Sequence, residues 1–162
     1  MMHICNRHQT HADKDRMHMK SNALKLKSIF ETFDQRVRPI TSRIRKMLGA
    51  KLLAPVDKQP SQEQIDAVMD EFSERILPMF NQQLDGKNYF IGDNMTGYDL
   101  LVYCEIKSIR VFAEKLVNER LSAYPNVTNW MERINIIPEV AEIEGHHDAE
   151  AMDTISHVGT LN

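Results

Sequence analysis

Thr96 and Asp99 stand three positions apart just ahead of an apolar run, Leu100 to Ile106, that only Glu105 interrupts. In that arrangement the threonine hydroxyl accepts the Asp99 amide hydrogen while the Asp99 carboxylate reaches back to the Thr96 amide, a capping box that starts a helix. Met95, just before the cap, and Leu100, at the fourth helical position, are spaced to touch, which fixes the angle at which the chain enters. A helix that is apolar on nearly every side belongs in the middle of a bundle. Tyr98 and Tyr103 are therefore expected to pack rather than to donate hydrogen bonds to a ligand, and Cys104 to be an inert buried thiol.

Other helices surround this one in the sequence. His11 to Lys20 is polar and reads as linker. A helix is then predicted from Ser21 or Asn22 to a stop at Gly49, because Leu24, Leu26, Ile29, Phe30, Phe33, Val37, Ile40, Ile44, Met47 and Leu48 recur at three and four residues. Pro39 cannot donate to the carbonyl of Gln35, so a kink is expected there. Ser61 and Gln64 form another capping box, ahead of a helix with the stripe Ile65, Val68, Met69, Phe72, Ile76, Met79, Phe80 and Leu84. Pro78 should bend it, and Asp85-Gly86 should turn the chain after it. The central helix is predicted to persist through Ile109, Phe112, Ala113, Leu116 and Val117, loosening near Asn118. Pro125 opens a further helix with Val127, Trp130, Met131 and Ile134 inward, and Pro138 ends it ahead of a short turn from Glu139 to Ile143. Gly145 onward holds few large apolar side chains and is expected to be mobile or loosely docked. The prediction is an all-α bundle.

A chain of 162 residues with 42% hydrophobic content suits one domain with a real core. No run approaches the roughly 18 apolar residues that span a bilayer, and the N-terminus lacks an apolar signal-peptide core. A soluble, cytoplasmic protein is expected, with no membrane association. Cys5 and Cys104 lie far apart with one in the central helix, so a disulfide is not expected and a reducing compartment fits. Twelve Lys or Arg against four Asp or Glu make residues 1–51 about +8, and eight against nineteen make the remainder about −11. The basic residues are not interleaved with aromatics that stack bases, so nucleic acid is not an expected partner. His3, Cys5, His8 and His11 fit no zinc-finger spacing, and no metal site is expected.

Gly92-Asp93 with Thr96 and Asp99, then Tyr124-Pro125-Asn126-Val127, Trp130 and Pro138-Glu139-Val140, closely resembles the all-helical C-terminal domain of cytosolic glutathione transferases, most nearly of the theta type. The resemblance implies a glutathione transferase C-terminal-like helical bundle over residues 11–145, with a polar tail at 146–162. It implies that residues 1–10, where Arg7-His8 matches the end of the last helix of the thioredoxin-like domain, are a remnant of that domain. In the family the thioredoxin-like half carries the hydroxyl or thiol that stabilises the glutathione thiolate, a cis-proline turn and a Glu/Gln-Ser pair. None of these matches a residue here, so no catalytic residue is assigned, and glutathione is expected only as the family's co-substrate.

What the resemblance does carry over is the wall of the electrophile pocket, supplied by the first long helix. Phe30, Phe33 and Arg36 are the candidates, with Arg36 or Arg43 able to pair with a carboxylate. Core packing for the two phenylalanines and solvation for the arginines is the competing expectation. Thr96, Asp99 and Gly92, where the family bends its backbone sharply, are assigned structural roles. Two functions follow: the substrate-pocket half of a glutathione transferase, partnered by a second copy or the missing thioredoxin-like domain; or a non-catalytic protein-assembly module like the gamma subunit of translation elongation factor one B.

Overall fold

The computed structural model describes residues 23–24, 26–143 and 145. The expected helix remnant at 1–10, the linker, the helix start at Ser21 or Asn22, the four candidate metal ligands and the tail from 146 lie outside these residues. Among the described residues every regular element is helical, with no strand and one isolated bridge, Tyr89 to Gly92.

Residues 26–32 are helical and run into a π-helical turn, Phe33–Val37, followed by α1, Arg38–Leu53. The Arg38 amide donates to the Phe33 carbonyl, five residues back. Pro39 has no hydrogen for the Gln35 carbonyl, and the wider turn absorbs that missing bond where a simple kink was expected. Gly49 does not stop the helix. Ala54 does, in extended conformation at ψ 153°, because it precedes Pro55, whose ring disfavours helical geometry in the residue before it.

The second long helix is split. Ser61 and Gln64 close their box at the start of α2, Gln62–Arg75, and after Ile76 the chain restarts as α3, Leu77–Gln83, with Pro78 in its first turn, where a proline sacrifices no intrahelical bond. Gly86 and Gly92 then take positive φ, 64° and 83°, and turn the chain back on itself, so that the Tyr89 amide donates to the Gly92 carbonyl at 3.2 Å. Nothing stands within 4 Å of where a Gly92 side chain would project, so Gly92→Ala should suffer only the left-handed backbone penalty, about 1–2 kcal/mol. An unchanged urea midpoint for that variant would mean the bend does not depend on glycine.

α4, Gly97–Arg110, is central as expected, with Tyr98, Asp99, Val102, Tyr103, Ile106 and Ile109 buried. Two expectations fail at its edges. Cys104 is exposed, because it lies on the side of α4 facing away from that stripe. The helix also does not persist to Val117. It breaks after Arg110, with Ala113 at φ −149° and ψ 53°, and resumes as α5, Glu114–Leu121. The corner turns Val117 and Leu121 to the core and leaves Val111 and Phe112 outside. α6, Pro125–Asn135, buries Val127, Trp130, Met131 and Ile134 as predicted, and residues 138–143 form a last helical turn.

α1 packs on α2 and α4, α3 on α6, and α5 on both α4 and α6. Glu105, the lone acid in the central run, bonds Arg45 of α1, whose guanidinium also donates to Ser108 Oγ at 3.2 Å and Ser42 Oγ at 3.3 Å. With Glu105 only 13% exposed, removing its carboxylate leaves a half-buried cation short of its partner. Glu105→Ala should lower stability by about 1–2 kcal/mol in urea unfolding. A loss no larger than that of an exposed surface pair would show the bond to be solvent-screened.

Candidate functional site

Asp99 is wholly buried, and both its oxygens are used. Oδ2 accepts from the Thr96 amide at 2.8 Å and the Thr96 hydroxyl at 2.6 Å, which is the reach-back half of the capping box. Oδ1 accepts from the Phe90 amide at 3.0 Å and from the Trp130 indole N–H at 3.1 Å. One side chain therefore caps α4, pins the loop that precedes it and anchors α6. The sequence pattern shows the first of these; the other two donors lie 9 and 31 residues away and no local spacing discloses them.

Phe90 is the hub of an aromatic cluster, edge-on to Phe80 at 5.2 Å, Tyr98 at 5.2 Å and Trp130 at 5.1 Å between ring centroids. Burial first, and the neighbouring Asp99 second, push the Tyr98 phenol above its ordinary value of 10.0. Tyr98 stays neutral, and stability should fall as pH rises past the ordinary tyrosine value, where the unfolded chain ionises and the folded one does not. Tyr103 packs on Trp130 and donates to Asn135 Oδ1 at 3.1 Å, in keeping with its expected packing role.

Next to this cluster lies a cleft of about 760 Å³, between the helical residues preceding the π turn and the 87–92 loop. Leu24, Ile29, Phe90 and Ile91 supply its apolar lining, with Ser28, Lys87 and the Gly92 backbone beside them. The sequence-derived candidates are placed differently. Phe33 is fully buried, edge-on to Tyr98 at 6.0 Å with the Arg38 guanidinium over its ring, and so belongs to the core. Phe30 is 38% exposed and lies on Tyr98, and Arg36 is exposed; neither lines the cleft. Arg43 is taken up by Glu71. The π turn interrupts the first helix between the cleft-lining residues Leu24, Ser28 and Ile29 and the start of α1.

A second groove, about 390 Å³, lies among α4, α5 and α6, and two of its hydroxyls are committed internally: Ser122 Oγ donates to Glu119 O at 2.7 Å, and Thr128 Oγ1 to Leu121 O at 3.2 Å. Among the described residues, no group of three or more His, Cys, Asp or Glu is placed to hold a metal, and no helix is long and apolar enough to cross a membrane.

The capped central helix, the sharply bent loop before it and the Trp130 helix behind it agree with one family model. That model, described as glutathione S-transferase, C-terminal domain, matches residues 42–138. The chain belongs to this family. No curated protein and no solved structure matched it. In this glutathione transferase-like domain, Asp99 and Gly92 set the loop that walls the cleft, and the first helix provides the other wall with residues that precede the matched span.

Proposed function

We propose that this chain is the helical substrate-pocket half of a glutathione transferase-like protein, and that its cleft takes the apolar body of an electrophile. The observation that carries this reading is the lining of Leu24, Ile29, Phe90 and Ile91 between the first helix and the Gly92 loop, in a chain of this family. Apolar ligands are held by such concave apolar surfaces, with a few polar groups fixing orientation. Ser28 borders the cleft for that second part, and Lys87, whose ammonium gives one hydrogen to the Gln83 carbonyl at 2.9 Å, has two more to offer. Glutathione is the co-substrate, and its thiolate is generated by a thioredoxin-like half rather than by this domain. Neither buried tyrosine is suited to stabilising a thiolate, because the Tyr98 phenol is driven away from ionisation and the Tyr103 hydroxyl is bonded to Asn135. A second copy of the chain or a thioredoxin-like domain is the partner, and the compartment is cytoplasmic.

The pure 162-residue protein, mixed with glutathione and 1-chloro-2,4-dinitrobenzene, is expected to leave the conjugation rate at its uncatalysed value. Clear acceleration would mean that a thiol-activating site exists among side chains assigned to packing.

One observation favours assembly as a second role. Leu52, Leu53 and Val56 are 41%, 69% and 85% exposed together at the end of α1, an apolar corner of the kind that protein interfaces cover. Sedimentation of the pure chain as a monomer at high concentration would argue against self-association through that corner.

A further inference from the structure

Trp130 is the chain's single tryptophan and is completely buried on α6, yet its indole N–H is spent on the carboxylate that holds the cleft loop. Its ring meets Phe90 edge-on at 5.1 Å, and Phe90 forms part of the cleft wall. The Phe90 amide and the Trp130 indole share a single acceptor, Asp99 Oδ1, at 3.0 Å and 3.1 Å. Oδ2 is anchored at the helix cap, so the carboxylate cannot swing toward one donor without disturbing the other. α6 contributes no lining residue to the cleft, but it touches the wall from behind at two points, the ring and the shared oxygen.

We propose that Trp130 is a positioning residue of the cleft. Its indole N–H, acting through Asp99 Oδ1, sets where the Phe90–Gly92 wall stands, and so sets the affinity of the cleft for an apolar ligand. The ligand clause rests on the function proposed above; the positioning clause rests on the geometry alone. A hydrogen bond of this kind, lost without loss of packing, is worth about three- to tenfold in an equilibrium constant.

Because the chain holds one tryptophan, the donor can be removed without altering the ring. Growth on the benzothiophene isostere of tryptophan replaces only the indole N–H with sulfur. In the full chain, this protein should keep its far-UV helicity while the Phe90 amide proton exchanges several-fold faster and the Phe90 and Gly92 amide resonances shift. Its dissociation constant for 1,3-dinitrobenzene, an unreactive aromatic probe, should rise about three- to tenfold over the unsubstituted protein. Trp130→Phe should show the same Phe90 signature with an added loss of stability from its smaller ring.

Phe90 exchange and resonances identical to the unsubstituted protein would overturn the positioning role. A displaced wall with unchanged probe affinity would overturn the link to binding. If the unsubstituted protein gives no probe response at Phe90 to Gly92, the cleft's function and the affinity clause fall together, and the exchange data still decide the positioning clause.

Discussion

Asp99→Ala is expected to be the most damaging single change in the domain. Loss of the cap costs about 1 kcal/mol. The larger effect comes from the two donors stranded in the core, the Phe90 amide and the Trp130 indole N–H, each about 1–3 kcal/mol when buried without an acceptor. The sum, about 3–7 kcal/mol, corresponds to a fall in melting temperature on the order of 10–20 °C for a chain of this length. Asp99→Asn isolates the two contributions. Its remaining oxygen still accepts from Phe90 and Trp130, while its amide group faces the Thr96 donors, so an intermediate loss is expected. Thermal unfolding followed by circular dichroism measures both. If Asp99→Ala melted within about 2 °C of the native protein, Asp99 would be no more than an ordinary helix cap.

The second large effect separates Phe33 from Phe30, two residues the sequence puts on the same footing. Phe33 is fully buried between Tyr98 and the Arg38 guanidinium, so Phe33→Ala should cost about 3–5 kcal/mol through lost transfer energy and the cavity left behind. Phe30 is 38% exposed, keeps a single ring contact with Tyr98 and should cost about 1 kcal/mol. Neither change should alter the affinity for 1,3-dinitrobenzene in conditions where the variant remains folded, since neither side chain lines the cleft. Urea midpoints and probe titrations decide this. Equal destabilisation by the two variants would contradict the assignment of Phe33 to the core, and a selective loss of probe binding in Phe30→Ala would restore it to the pocket wall.

The sequence discloses what depends on short-range periodicity. The capped start of α4, the proline start of α6, the inward set Val127, Trp130, Met131 and Ile134 and the buried stripe of α2 all follow from spacings of three and four residues, and all are observed. The failures share a physical cause. Where a helix can continue, split or change pitch at similar local energy, tertiary packing decides, and periodicity has no access to it. Gly49 stays helical because nothing around it demands a turn, and Ala54 ends α1 only through its neighbour Pro55. Arg110 ends α4 because the chain must turn a corner to bury Val117 and Leu121.

The candidate site was less legible for the same reason. Spacing puts Leu24, Ile29, Phe30 and Phe33 on one stripe, but it does not tell which of them border the cleft, Leu24 and Ile29, and which pack on Tyr98, Phe30 and Phe33. The π turn at Phe33–Val37 is foreshadowed only by Pro39, where the sequence leads one to expect a kink. Phe90 and Ile91, which complete the cleft, belong to no helical stripe and to no cap or turn signal in the sequence. Only the closed turn to Gly92 shows that the nearly buried Phe90 ring and the half-buried Ile91 also border the cleft.

Titration of the isotopically labelled full chain with 1,3-dinitrobenzene, followed residue by residue by amide NMR, tests the central claim most directly. Saturable shifts concentrated at Ser28, Ile29 and Lys87 to Gly92, with the groove residues Asn118, Ser122 and Glu132 unmoved, are the predicted result. Shifts confined to the α4–α5–α6 groove or to the exposed Leu52, Leu53 and Val56 corner, with the Phe90 loop silent, would contradict it.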